Sequence, residues 1–166
     1  MKITAAALAA LTLILLACSA AEKNGTVPGL AAKGWTNLGP GGGGAVYCST
    51  VNPSDPDNVL ICCDMTGSYG TWDGGRSWRN FNLRAVVNDF EFDPGDSATV
   101  YAATSALYRS RDKGRAWELV YPSPSAVTGE RMVGDEADQS YVTADGMPDG
   151  LVLKVRVDPA NRAAIS

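Results

Sequence analysis

Three aspartates stand out by spacing and surroundings in a chain of 166 residues that contains no histidine. Asp73 and Asp112 lie 39 residues apart, inside the same spelling: Ser or Thr, one residue, Asp, one residue, Gly, two residues, Trp. The first copy is Thr71-Trp72-Asp73-Gly74-Gly75-Arg76-Ser77-Trp78 and the second is Ser110-Arg111-Asp112-Lys113-Gly114-Arg115-Ala116-Trp117. Asp64 precedes the first copy, in Cys63-Asp64-Met65-Thr66-Gly67-Ser68-Tyr69, and the second copy lacks a matching acid. A carboxylate in a tight turn accepts backbone N–H groups. A carboxylate at the end of a buried strand is free to meet a substrate. The chemistry therefore divides: Asp73 and Asp112 are expected to hold turns, and Asp64 is the catalytic candidate.

The other residues of the repeat fit the structural role. Gly74, Gly75 and Gly114 can take the positive φ a tight turn demands. Thr71 and Ser110 bring a short hydroxyl two places before each Asp. Trp78 and Trp117 supply apolar bodies that seat each hairpin. The absence of histidine excludes Ser-His-Asp and Cys-His nucleophile systems within this chain, and most zinc sites. A net charge of −4 without a Lys/Arg cluster argues against a nucleic-acid surface. Acids are scattered between Tyr121 and Gly150 (Glu130, Asp135, Glu136, Asp138, Asp145, Asp149), but without EF-hand spacing. They read as a solvated surface loop or an extra hairpin, and no metal or cofactor is expected.

The elements that must position these residues are strands. A unit of this length built on turn residues and aromatics predicts a propeller blade or similar β-array. In the first unit, residues 45–51 and 59–63 read as strands around the turn cluster Asn52–Asn58. In the second, residues 86–92 and 99–103 flank Asp93–Ser97, residues 107–110 lead into the second Asp-Gly turn, and residues 117–120 leave it. Val59 to Cys63 is almost wholly apolar, as for a strand buried on both faces. A third unit opens at Leu151–Val157, before Asp158-Pro159. No helical periodicity appears beyond the N-terminus. The expected fold is all-β: about three blades of a larger, seven-bladed propeller, spanning residues 34–166, so that the rest of the propeller lies outside this chain.

The N-terminus reads as an address. Met1-Lys2 is a basic start, Ala5–Leu16 is an apolar run, and Leu15-Leu16-Ala17-Cys18 closes it with small residues. Residues 1–17 are expected to be a signal peptide and residues 18–33 a flexible tether. The Leu-x-Ala-Cys ending resembles a bacterial lipobox, which implies lipidation of Cys18 and a place in the cell envelope or outside the cell. The membrane would then be reached only through that anchor. An ordinary signal peptide with Cys18 incidental is the alternative. Export permits disulfides: pairing of the first two strands would bring Cys48 near Cys62, and three small buried thiols are the equal alternative. Gly39-Pro40-Gly41-Gly42-Gly43-Gly44 is a loop without the Lys-Ser/Thr of a phosphate-binding loop.

The repeated turn resembles the Asp-box of the bacterial neuraminidase-repeat proteins, among them sialidases, sortilin-type receptors and photosystem assembly factors. In that class the box is peripheral and not catalytic. The first unit, with Gly41–Gly44, Asn52-Pro53, Asp64-Met65-Thr66-Gly67-Ser68-Tyr69 and Trp72-Asp73, resembles the N-terminal blade of glycoside hydrolase family 74 across residues 35–120. That resemblance implies a β-glucanase of xyloglucan type, a polysaccharide as partner, and Asp64 as one of two catalytic carboxylates. Tyr69 and Trp72 would offer aromatic faces to sugars, with Gly43 and Gly44 beside them; ordinary packing is the equal alternative for Trp72. Cys63, Thr66, Ser68 and the extra residue in Gly70-Thr71 depart from the family's Thr-Asp-Ile-Gly-Gly-Ala-Tyr-Arg-Trp. The second acid of that family lies in a distant second propeller, so this chain alone is not expected to hydrolyse a glycan. A non-catalytic binding or assembly propeller is the competing expectation. A sialidase is the weaker enzymatic one, since no early Phe/Tyr-Arg-Ile-Pro is present.

Overall fold

Asn52-Pro53 and Asp93-Pro94 each turn the chain in two residues. Asn52 Oδ1 accepts the Ser54 N–H at 3.0 Å and Asp93 Oδ1 accepts the Gly95 N–H at 2.8 Å, so each side chain closes its own turn. In the computed structural model, which describes residues 39–40, 44–64, 67–133, 138–146 and 151–160, strands run to the edges of both turns. The first hairpin pairs β1 (Val46–Asn52) with β2 (Asp55–Cys63), and the second pairs β5 (Asp89–Asp93) with β6 (Asp96–Ala103). The expected loop Asn52–Asn58 is therefore mostly strand. Its two asparagines are buried with their side chains bonded. Asn52 Nδ2 donates to Asn58 Oδ1 at 3.2 Å and to Ser97 O at 2.8 Å, and Asn58 Nδ2 donates to Thr71 O at 3.1 Å. The signal segment, Cys18, the tether and Gly43 lie outside the described residues.

Each hairpin continues into a four-stranded antiparallel meander. The first adds β3 (Ser68–Thr71) and β4 (Arg79–Phe81), the second β7 (Leu107–Ser110) and β8 (Glu118–Tyr121), in the orders β1-β2-β3-β4 and β5-β6-β7-β8. The insertion forms a third pair, β9 (Val127–Val133) with β10 (Asp138–Thr143). The described residues are all-β, and the two meanders stack as propeller blades. Leu60 and Cys62 on β2 pack in one cluster with Phe90, Phe92, Val100 and Ala102 of the second sheet. The alternate residues Tyr101 and Ala103 pack on the far side against Val155 and Val157. A strand buried on both faces loses the polar alternation of a half-exposed one, which is why these runs are uniformly apolar.

The joint between the blades has an aromatic centre and a polar end. Trp117 lies 5.7 Å from Phe81 and 5.9 Å from Phe90 between ring centroids. At the end carrying the Asp-Gly turns, Trp72 Nε1 donates to Lys113 O at 2.7 Å and Lys113 Nζ reaches Asp55 Oδ2 at 2.7 Å. Gly114 has a φ of +85°, which other residues resist, and a Cβ there would crowd Leu60 Cδ2 at 3.0 Å, so glycine suits the close approach of the second turn to the first blade. Trp72→Phe keeps the ring and removes the donor. It should cost about 1 kcal/mol, read as a lower urea midpoint with an unchanged slope.

Residues 151–157 differ from expectation: they form no strand, only an isolated bridge at Val157. A strand needs a ladder, and this segment is tied down otherwise. Val152 N donates to Thr104 O at 2.8 Å, Val155 N to Asp89 Oδ2 at 3.3 Å, and Arg156 Nη1 reaches Asp89 Oδ2 at 2.6 Å. Val155 and Val157 are the buried residues of this stretch, while Leu151 and Leu153 are exposed.

Candidate functional site

In an antiparallel meander the loops fall alternately at the two ends. The β1–β2 turn and the β3–β4 turn, residues 72–78, share one end of the first blade. Asp64 and Gly67, which follow β2 and precede β3, lie at the other, together with the β4–β5 loop, residues 82–88. The insertion joins this second end: Gln139 N donates to Arg84 O at 2.6 Å, Ser105 Oγ donates to Gln139 O at 2.9 Å, and the Tyr108 and Tyr141 hydroxyls meet at 3.0 Å. Asp64 and the turn acids thus stand at opposite ends of the blade.

Asp64 is the residue immediately after β2, half-buried. Its Oδ1 accepts the Ala45 N–H at 2.7 Å, and its own N–H donates to Ala45 O at 3.2 Å. The two residues clasp each other, just past Gly44 with its φ of +88°. Cys63 N donates to Gly67 O at 3.1 Å and closes the loop beneath Asp64. Gly67 has a φ of +94°, and a Cβ there would stand 2.5 Å from Phe81 O, so the loop requires glycine. The end of the glycine run and the β2–β3 loop therefore set the carboxylate through the main chain.

Tyr47, which the sequence reading did not single out, belongs to this site. Burial, followed by the neighbouring Cys62 and Cys48 and the charge of Asp64, pushes its hydroxyl above the ordinary tyrosine value. The available signal was an aromatic three places beyond the glycine run, on the strand paired with β2. Tyr69 lies on β3 opposite Ile61 and Asn80 and is half-buried. It shares the sheet face of Ile61, about 10 Å along the strand direction from Asp64.

Trp72 is a correction. The register pairs Thr71 with Val59, which puts Trp72 at the far end of the blade, about 20 Å along the strand from Asp64. Besides its bond to Lys113, its ring carries the Arg115 guanidinium 4.7 Å from the centroid. A Cβ on Gly70 would touch that ring at 2.6 Å. Trp72 joins two blades and is not a sugar platform beside Asp64.

The two Asp-Gly turns repeat one hydrogen-bond pattern. Thr71 Oγ1 donates to Asp73 Oδ1 at 2.8 Å and accepts the Gly75 N–H at 2.9 Å; Ser110 Oγ donates to Asp112 Oδ1 at 2.7 Å and accepts the Gly114 N–H at 2.8 Å. Asp73 Oδ1 accepts the Ser77 N–H at 2.9 Å, and Asp112 Oδ1 accepts the Ala116 N–H at 2.8 Å. Gly74 and Gly75 have positive φ in the first turn, Lys113 and Gly114 in the second. Trp78 lines a cavity of about 220 Å³ with Val59 and Ile61, and Trp117 stacks in the joint with its buried Nε1 unpartnered among the described residues.

These bonds make the turns acid-sensitive. The Ser77 hydroxyl, then the Ser77 amide and the Thr71 hydroxyl, hold Asp73 down to about 2 from 3.8. Burial pushes Asp112 up, but the Ala116 amide, the Ser110 hydroxyl and the Arg115 amide outweigh it and leave it lowered. A carboxyl depressed on folding stabilises the native state above its unfolded value and withdraws that support as pH falls. Stability should therefore fall between about pH 4 and pH 2, followed by tryptophan fluorescence, and Asp73→Asn should flatten this acid limb.

No family model matches the chain, and it matches none of the curated proteins. Solved structures with similar folds include the GH74 xyloglucanase of Xanthomonas campestris, at 21% identity and a TM-score of 0.39, over 49% of this chain and 16% of that one. An ancestral GH74 enzyme is similar at 15% identity and a TM-score of 0.42, over 64% of this chain and 17% of that one. A GH74 enzyme of Niastella koreensis is similar at 18% identity and a TM-score of 0.41, over 72% of this chain and 24% of that one. The chain thus spans less than a quarter of the length of each of these proteins.

Proposed function

We propose that the chain is the N-terminal part of an exported glycoside hydrolase acting on a β-glucan of xyloglucan type, lipid-anchored through Cys18 or secreted. In this reading Asp64 is the base that activates water in an inverting reaction. The observation that carries it is the setting of Asp64. It stands at the end of β2, half-exposed, with one carboxylate oxygen oriented by the Ala45 amide. The acids that hold turns are at the other end of the blade. The motif resemblance around Gly41–Gly44 and Asp64–Tyr69 supports the substrate class, and Tyr47 and Tyr69 are the aromatic residues assigned to sugar contact. The repeated turns are read as Asp-boxes of the blade periphery.

Inversion needs a second carboxyl about 6.5–9.5 Å from the first, to leave room for water. That acid is assigned to the remainder of the full-length protein, so this chain by itself releases no sugar. Full-length protein incubated with xyloglucan and followed by proton NMR should first yield the α-anomer at the new reducing end. Release of the β-anomer would exclude inversion. A non-catalytic binding or assembly propeller is the second reading. It is favoured by the bond from Ala45 to Asp64, which also serves a purely structural acid, and it expects glycan binding or protein assembly with no new reducing ends.

A further inference from the structure

We propose that Cys48 and Cys62 form a disulfide site, reduced in this structure, that closes across the first hairpin when the protein meets an oxidant. This proposal stands independently of the role of Asp64.

It rests on a bulge. Tyr47 pairs with Cys62 and Ser49 with Ile61, which leaves Cys48 as the additional residue. Cys48 has a φ of +52°, a conformation that non-glycine residues avoid. A bulge of this kind re-aims a side chain. Here Tyr47, directly opposite the fully buried Cys62, is 38% exposed, while Cys48 packs against the cluster that contains Cys62. The bulge has turned Cys48 toward the core cluster that holds Cys62, so the two thiols lie on the same side of the hairpin. The directly opposed pair Tyr47 and Cys62 stands about 4.5–5.5 Å apart at Cα, and in the bulge Cys48 shares that opposition, close to the span of about 4.4–6.8 Å that a disulfide bridges. Cys63 is the next residue along β2 and faces the other side of the sheet; its Sγ lies 3.8 Å from Asp64 Oδ1.

The two thiols have unequal roles. Cys62 is completely buried. Burial, and after it the hydrogen bond with Cys48, pushes its thiol well above the ordinary range. Cys48 is half-exposed, so an external disulfide can reach it, and its Sγ donates to Asp89 Oδ1 at 4.0 Å. Cys48 is therefore the sulfur that attacks. With a disulfide oxidant such as oxidised glutathione, Cys48 loses its proton to solvent, its sulfur forms a mixed disulfide and one glutathione thiolate is expelled. Cys62 then loses its proton to solvent, attacks Cys48 Sγ and expels the second. Two S–H bonds and one external disulfide become one S–S bond and two external thiols, so electrons and protons balance. Closure would lock the bulge that carries Tyr47.

The test equilibrates the full-length protein with oxidised glutathione, blocks the remaining thiols, and maps the peptides by mass spectrometry. The expected result is a Cys48–Cys62 linked peptide, a mass loss of about 2 Da reversed by reductant, and a Tm at least about 5 °C above that of the reduced protein. Cys48→Ser should abolish all three changes, and Cys63→Ser should keep them. The proposal is overturned if Cys48 and Cys62 are both alkylated after equilibration, if a glutathione adduct persists on Cys48, or if the link maps to Cys63. Peptide mapping of the unsubstituted protein decides the matter even if a variant fails to fold.

Discussion

Asp64→Asn in the full-length protein should lower kcat on xyloglucan by about 10²–10⁴-fold, the usual worth of a positioned general base. The isosteric amide is the informative change. It retains an oxygen that can accept the Ala45 N–H, so the clasp seen at 2.7 Å survives and the loop stays in place. Only the capacity to take a proton is lost. KM should be nearly unchanged, because the substitution removes an interaction made in the transition state rather than a binding contact. Asp64→Ala should lose activity and also release the clasp at Ala45, which a lower Tm would reveal. A silent Asp64→Asn paired with a destabilising Asp64→Ala would instead assign Asp64 to the turn.

Phe90→Ala should destabilise the protein by about 3–5 kcal/mol, the largest stability effect expected of one substitution. Phe90 is 2% exposed, and its ring meets Phe81 at 6.2 Å and Trp117 at 5.9 Å, so it contacts the outer strand of one blade and the turn tryptophan of the next. Deleting it opens a cavity that rigid strands on both sides cannot close. Tm should fall by roughly 10 °C or more. Because the residue belongs to both blades, loss should remain a single transition in urea with a lower midpoint. Val46→Ala, at a side chain 53% exposed, should change stability by no more than about 0.5 kcal/mol. Two separate transitions in the Phe90 variant would mean that the blades are held together elsewhere.

Those joints were partly legible in the amino-acid order. The repeat of Asp73 and Asp112 and the returning Asn-Pro and Asp-Pro pairs gave the two meanders, since turns depend on a few local residues. The apolar runs Leu60–Cys63 and Val100–Ala103 gave strands covered on both faces. What stayed hidden depends on register. Trp72 lies beside Asp73 in a motif read as one unit with Asp64, yet strand β3 separates them by the height of the blade. The bulge at Cys48 inverts the alternation that places Tyr47, and no pattern of hydrophobicity marks a one-residue slip. Asn52 and Asn58 read as loop because they are polar, but each is buried with its side-chain amide donating to a sequence-distant carbonyl. Residues 151–157 read as strand because they are apolar, while side-chain and loop contacts take the place of a ladder. The position of Asp64 at the end of β2 was readable from the apolar run before it; its clasp with Ala45 was not.

The separation of acidic roles is tested most directly by one assay of reducing-end release from xyloglucan, run at a temperature where all proteins are folded. It compares the full-length protein with Asp64→Asn, Asp73→Asn and Asp112→Asn. The account predicts release by the unsubstituted protein and by both turn variants, and loss of at least about 10²-fold in Asp64→Asn. Equal release by Asp64→Asn and the unsubstituted protein, or no release by any of the four, would contradict it.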